Sequence, residues 1–490
     1  MLKARERLGA ELAVPYIEEN QGNEAKREHV PMTERTETAP ARNAGARTRP
    51  PALHPADLLI ALLLIVGFFL GPLKLLGVSW LSYIAADGLA VLIILVVLWE
   101  RIAGRKPLLA ASPLSIPIFL LAGFCVLELF NPEAPFIRSL LGLRSWLLYL
   151  CFYFVGFYSL RSVKQVEKLY ALLLILGVVT AVYGVYQWQV GPELFASWSD
   201  YYGRYARLTW LAQSGEVFRA FSTFVMPGSF GGNMALLMLL AFSIVTSRRF
   251  GATVRIALAF AFGVMGVGIA VSGSRGPVAL LLLPGAVALG FSPGVWRRFS
   301  VAFKAALVAG AAVVGIVFLI GPIVSERFST IFDPQAFFWK WFGPFSYGIS
   351  LARMHPFGMG MGFTAGVPQF ISNPVIQSLP TENIDSGYGS AAGELGFLGL
   401  ALFAYFAIKV GIEGLRTWRR LPAGRLRDLL LGPALYAGTY PIVSLVFQPQ
   451  ATLPSSIYFW LLIGMLMKAP ALQRQLDEDQ LHRSSVHPGE

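Results

Sequence analysis

The sequence predicts an all-α polytopic integral membrane protein with about 12 transmembrane helices, and three observations lead there. Only 14% of its 490 residues are charged and 55% are hydrophobic, against roughly 25% charged in an average soluble domain, and the mean hydropathy is +0.59. Apolar runs of about 17 to 25 residues, long enough to cross hydrocarbon as helices, recur along nearly the whole chain. The polar gaps between them alternate between basic and nearly uncharged, as short loops on the two sides of a bilayer do.

Taken in order, the runs are 58–76, 81–99, 112–130, 139–159, 169–190, 229–246, 254–272, 277–292, 304–322, 396–412, 429–447 and 455–468. Asp87, Pro113, Pro117 and Pro284 soften the second, third and eighth. ERIAGRKP (100–107), RSVKQVEK (161–168), SRRF (247–250), WRRF (296–299) and RTWRRLPAGRLRD (416–428) are basic, whereas GPLKLLG, NPEAPF and FQPQATLPSS are not. Lys and Arg collect in cytoplasmic loops, so both termini are expected in the cytoplasm. The formal charge of +12 follows from the same bias, and no fold or motif for nucleic-acid binding accompanies it.

Residues 1–56 are polar and rich in Pro, Ala and Arg, which predicts a disordered cytoplasmic tail with no cleavable signal peptide before the first run. Residues 57–470 form the membrane domain, and 471–490 a second cytoplasmic tail. Cys125 and Cys151 fall inside predicted spans, where they read as packing residues rather than as a disulfide or zinc framework. Two outer loops are large, 191–228 and 323–395, and loops of that length usually carry function or disorder. The second holds FFWKWFGPFSYGISLARM, dense in aromatics, which predicts short helices lying at the outer headgroup level.

Arginines stand out at the outer side. In VSGSRGPVAL, Arg275 sits among Gly273, Gly276 and Pro277, which turn the chain tightly and open a new helix with proline in its first turn. Its planar fork suits a phosphate and stays charged in a partly dry site; snorkelling to lipid headgroups is the competing reading. Arg219, in FRAFSTFVMPGSFGGN (218–233), precedes a glycine-rich helix start on the same side. Arg204 and Arg207 read as solvated loop charges. A pair of outer arginines suits a multiply charged anion such as a lipid pyrophosphate.

Four segments resemble, in order, motifs of the O-antigen ligase and O-antigen polymerase superfamily of bacterial membrane proteins. They are RAFSTFVMPGSFG, SGSRGP, HPFGMGMGF and DSGYGSAAGELGFLG (385–399). The resemblance covers roughly residues 58–468 and implies a GT-C-like glycosyltransferase of the bacterial inner membrane. Its donor would be an undecaprenyl-pyrophosphate-linked glycan and its acceptor a glycan or lipid. Other envelope-polysaccharide assembly proteins are possible partners, and neither a cofactor nor a metal is expected. The sequence departs from the ligase signature at Asp385, which stands where that signature has histidine. Ser386 follows, and Gly396 and Gly399 keep the matching spacing. Polymerase activity, or ligation to a different acceptor, is therefore as compatible as transfer to lipid A.

The implied chemistry is glycosyl transfer with inversion. Arg219 and Arg275 would stabilise the pyrophosphate leaving group, and Asp385, Glu382 or Glu394 would take the proton of the acceptor hydroxyl. Arg353, His355 and Tyr388 are further candidates for contact with sugar or phosphate. Glu326, Arg327 and Asp333 read as local capping or turn residues. Gly358, Gly360 and Gly362 lack the GK[ST] and preceding strand of a nucleotide loop. Asp87 is an intramembrane carboxylate, either functional or, near the outer half of its span, paired with a loop arginine. The alternative function is a transporter or flippase for a lipid-linked or anionic solute. No similarity between residues 58–246 and 254–468 supports the repeat architecture common in transporters.

Overall fold

The computed structural model describes residues 54–75, 79–107, 111–193, 218–224, 226–274, 276–278, 280–281, 283–284, 333–364, 384–448 and 453–486. The described residues are helical, with no strand among them. In chain order the helices are α1 Pro55–Phe68, α2 Leu70–Leu75, α3 Ser79–Ala103, α4 Ser115–Leu127, α5 Phe136–Leu143, α6 Phe152–Ser159, α7 Val163–Val190, α8 Pro227–Val245 and α9 Ala252–Ser272. Then come α10 Pro334–Met354, α11 Gly387–Arg420, α12 Arg425–Leu429, α13 Leu431–Val443 and α14 Ser455–Val486. A π-helical turn, Arg144–Leu148, lies between α5 and α6.

Six stretches are long and apolar enough to cross a membrane: Phe136–Ser159, Val163–Val190, Pro227–Val245, Ala252–Ser272, Gly387–Arg420 and Ser455–Asp479. Pro55–Phe68 and Ser115–Phe130 are shorter apolar helices. Their outward faces carry Ile116, Ile175, Ile256, Phe260 and Leu398, each more than half exposed. A soluble monomer rarely leaves so continuous an apolar surface to water, and this is the architecture of an α-helical membrane protein. The expected spans 304–322 and most of 277–292 lie outside the described residues. The run 58–76 divides between α1 and α2, and 429–447 between α12 and α13.

Local signals account for the helix ends. Ser162 caps α7 by accepting the Gln165 amide at 3.2 Å, and Gly191 at φ 80° ends it. Proline occupies the first turn of α1, α8 and α10, where its missing N–H costs nothing. Gly273 closes α9 in the left-handed conformation. α8 and α14 are the central helices, 78% and 83% buried along their most apolar windows, and α9 is peripheral at 39%. α14 lies on α6 because Gly156 and Gly464 let the two backbones touch, the small-residue contact that membrane helices favour.

α10 is a single 21-residue helix rather than several short ones. It packs on α11 and exposes Phe338, Trp339, Phe342 and Tyr347. α11 is two helical segments joined at Gly396, whose φ of 66° and ψ of −162° interrupt the helix one residue beyond the predicted end of the outer loop.

Candidate functional site

Two of the quoted motifs meet first. Arg219 donates from Nε to the Ser272 carbonyl at 3.1 Å and from Nη2 to Ser274 Oγ at 2.9 Å, while the Ala220 amide donates to the Val271 carbonyl. The guanidinium is thus pinned across the end of α9, beside the turn that leads to Arg275. Gly231, in the first turns of α8, leaves room for Pro277 and the Ser272 hydroxyl. The segment leading into α8 is itself held from within, because Gln187 Oε1 accepts both the Phe221 and Ser222 amides, at 3.0 and 2.6 Å. Arg275 and Glu382 lie outside the described residues, as do Arg204, Arg207, Glu326 and Arg327.

The same assembly continues through the end of α13. Phe447 lies against Gly232 of α8, and the Ser444 carbonyl accepts the Tyr388 amide at 3.2 Å. Gln448 Nε2 donates to the Ile384 carbonyl at 2.7 Å and reaches Ser390 Oγ. Ser386 caps α11 by accepting the Gly389 amide at 3.0 Å, the role for which a serine there is suited. Asp385, one residue earlier, is exposed.

The loop 355–364 then docks into the break in α11. The Met359 and Gly360 amides donate to the Gly393 and Glu394 carbonyls, at 2.8 and 3.1 Å, and the Phe397 amide donates to the Pro356 carbonyl at 3.1 Å. Gly358, Gly360 and Gly362 all have φ near +80°. A side chain at Gly358 would overlap the Glu394 backbone, and one at Gly396 would overlap Pro356. The three glycines therefore serve a backbone-to-backbone fit rather than a phosphate cradle.

Glu394 is fully buried at this joint. Its Oε1 accepts the Thr364 amide and hydroxyl, both at 2.7 Å, and its Oε2 accepts Trp146 Nε1 at 2.8 Å; the Gly362 amide adds a fourth bond. A carboxylate so enclosed holds the loop to the helix and is not placed to take a proton from an acceptor, which corrects its candidacy as base. Arg138, 1% exposed, donates from Nη2 to the Met359 carbonyl at 2.6 Å. Glu128, also buried, accepts Asn131 Nδ2 at 2.8 Å, and the same Nδ2 reaches the Gly358 carbonyl. Glu128, Arg138 and Glu394 are the buried charged side chains among the described residues, and all three converge on this loop.

No family model matches this sequence, and no curated protein matches it. The reading of the site therefore rests on its geometry. His355 stands at the exposed edge of the joint with Nδ1 2.6 Å from Glu133 Oε2, and Arg353 is exposed on the last turn of α10. The Tyr388 ring is buried and makes T-shaped contacts with Phe345 and Phe403. Asp87 forms a two-pronged pair with Arg144, Nε to Oδ2 at 2.5 Å and Nη2 to Oδ1 at 2.8 Å, and Tyr149 donates to the same Oδ1 at 2.6 Å. Of the two readings of Asp87, the structure supports pairing, with an arginine of the π-helical turn.

Arg138, Glu128, Trp146 and Thr364 escape the sequence reading. The one available signal is charge inside the apolar stretches LEL and FIRSLLGLRSWLL, where an ionisable side chain needs a partner.

Proposed function

We propose that the protein is a membrane glycosyltransferase acting on a polyprenyl-pyrophosphate-linked glycan at the outer face of the bacterial inner membrane, as a polymerase or as a ligase. The observation that carries this reading is the contact chain among the four motifs. SGSRGP touches the α8 motif through Arg219, and the α8 motif touches the end of α13. That end in turn caps DSGYGSAAGELG, which clasps HPFGMGMGF. Short segments scattered over some 180 residues are thus linked into one continuous assembly, as residues that share a single site would be.

In this mechanism Arg219, oriented by two hydrogen bonds, faces the pyrophosphate together with Arg275. The acceptor hydroxyl oxygen forms a bond to C1 of the donor sugar as the bond from C1 to the pyrophosphate oxygen breaks, inverting C1. Asp385 receives the hydroxyl proton, help of a kind that contributes about 100- to 10,000-fold. The arginines stabilise the charge that gathers on the leaving group, and preorganised donors of that kind are worth several kcal/mol. His355, paired with Glu133, and Arg353 border the acceptor side. Both termini are cytoplasmic in this orientation.

The test is transfer by purified protein in nanodiscs, supplied with an undecaprenyl-pyrophosphate oligosaccharide and with products resolved by size. A ladder of lengthened lipid-linked glycans that Arg219→Ala, Arg275→Ala and Asp385→Asn abolish identifies a polymerase; a single addition to a supplied acceptor identifies a ligase. No transfer to any acceptor, with movement of the donor between leaflets of a vesicle, overturns the proposal in favour of a flippase.

A further inference from the structure

The other end of α11 carries a feature that glycosyl transfer does not use. An open groove of about 510 Å³ between α11 and α13 is lined by Ile408, Gly411, Ile412, Leu415, Gly438 and Pro441 and ends at Arg416, Arg419 and Arg420. Positions 408, 411, 412, 415, 416 and 419 follow helical spacing along one face of α11, so a single stripe passes from apolar to cationic. The Pro441 ring lies against Gly411 and the Leu415 side chain against Gly438, so α11 and α13 approach closely and the groove between them is shallow. Ile408 and Ile412 are nearly half exposed on its rim.

Length and charge identify what would lie there. From Ile408 to Arg419 the helix rises about 16 Å, roughly half the ~30 Å hydrocarbon thickness and so the depth of one leaflet. From Gly396 to Arg419 it rises about 35 Å, which sets the arginines at the membrane surface opposite Asp385. Arg416 is half exposed and pairs at 2.8 Å with Glu413, whose side chain is only 12% exposed, so one of the three cations is matched by a carboxylate and two positive charges are left in surplus. The cluster keeps a surplus of positive charge beside an acyl-sized apolar track.

We infer that this groove is a binding site for an anionic phospholipid, its phosphate on Arg416, Arg419 and Arg420 and one acyl chain along Ile408, Ile412 and Leu415. Basic pockets at the ends of apolar grooves between membrane helices suit such headgroups.

The experiment is native mass spectrometry of delipidated full-length protein titrated with dioleoyl phosphatidylglycerol or dioleoyl phosphatidylcholine. Wild type should retain phosphatidylglycerol about 30-fold better, since each of the two surplus cations near the membrane surface contributes about 1 kcal/mol. R416Q/R419Q/R420Q should abolish that preference, whereas R105Q/R161Q/R248Q, which removes three cations from other basic loops, should keep it. I412W, which fills the groove and keeps every arginine, should weaken retention as well. Equal retention of the two lipids by wild type, equal losses in both triple variants, or unchanged retention by I412W would each overturn the site. So would a protein dimer that phosphatidylglycerol does not displace and that I412W abolishes, because it would assign the groove to a second copy.

Discussion

Replacing Glu394 by Gln separates two roles for this carboxylate. As a clasp, Glu394 accepts the Thr364 amide and hydroxyl on one oxygen and Trp146 Nε1 on the other. An amide keeps one acceptor and turns the other position into a donor. Whichever way it is oriented, at least one buried N–H then faces another N–H. An unsatisfied buried donor costs about 1–3 kcal/mol, and hydrogen bonds to a charged acceptor are worth about 1.5–3 kcal/mol each against about 1 for neutral ones. The expected destabilisation of E394Q is therefore ~3 kcal/mol. Thr364→Val removes the hydroxyl bond but keeps the amide bond, and Trp146→Phe removes only the indole donor, so each should cost ~1–2 kcal/mol.

Thermal unfolding of the detergent-solubilised protein, followed by size-exclusion chromatography after heating, ranks the three variants against wild type. If the clasp is real, E394Q melts lowest, and E394Q/T364V is less destabilised than the two single changes added together because they share one interaction. A wild-type melting curve for E394Q together with lost glycan transfer would refute the reasoning and return Glu394 to the role of base.

Three further outcomes follow from the same geometry. Gly396→Ala forces a side chain into a φ and ψ combination that is essentially glycine's alone, at about 1–3 kcal/mol, and into the Pro356 carbonyl; its melting temperature should fall well below that of Gly263→Ala, where a methyl group meets nothing. Asp87→Asn leaves Arg144 and Tyr149 without their shared carboxylate; since both members of the pair are about one-fifth exposed, we expect a loss of ~1–3 kcal/mol, below the range for a fully buried pair, largely recovered in D87N/R144Q when both proteins are melted side by side. Arg219→Lys keeps the charge but cannot span the Ser272 carbonyl and Ser274 Oγ, so initial rates of glycan transfer should drop about 100-fold with little change in melting temperature, and full activity would remove Arg219 from the pyrophosphate site.

The helices were legible because lipid imposes a simple rule: a backbone in hydrocarbon must satisfy its own hydrogen bonds, so each span announces itself as a long apolar run. The interruption of α11 at Gly396 has a local signal in its glycine, which alone adopts that φ and ψ readily. What the sequence concealed was partnership across distance. Trp146 and Glu394 stand 248 residues apart, and Arg138 reaches a carbonyl 221 residues away. No local period encodes such a pairing. The π-helical turn at Arg144–Leu148 was hidden for the same reason, because the widened turn carries the Arg144 that pairs with Asp87 of another helix. Glu394 misled for a different reason. A carboxylate beside glycines looks like site chemistry until its burial is known.

The placement of buried charge explains why the clasp and the exposed edge divide their work. Moving the loop 355–364 away from α11 would take Thr364 from Glu394 and the Met359 carbonyl from Arg138, and a buried charge stripped of its partners costs several kcal/mol. The loop and the first segment of α11 therefore behave as one rigid piece, and its alternating glycines are the geometric condition for that fit. Asp385 stands one residue before the cap of this piece, and His355 and Arg353 lie where it meets α10. The joint beneath them fixes the backbone from which all three project, and His355 is held further by Glu133. Under the proposed function, aligning a lipid-borne leaving group with a separate acceptor would draw on that fixity. For this reason substitutions in the clasp should lower activity only in proportion to the stability they remove, whereas substitutions at Arg219 or Asp385 should lower activity while leaving stability intact.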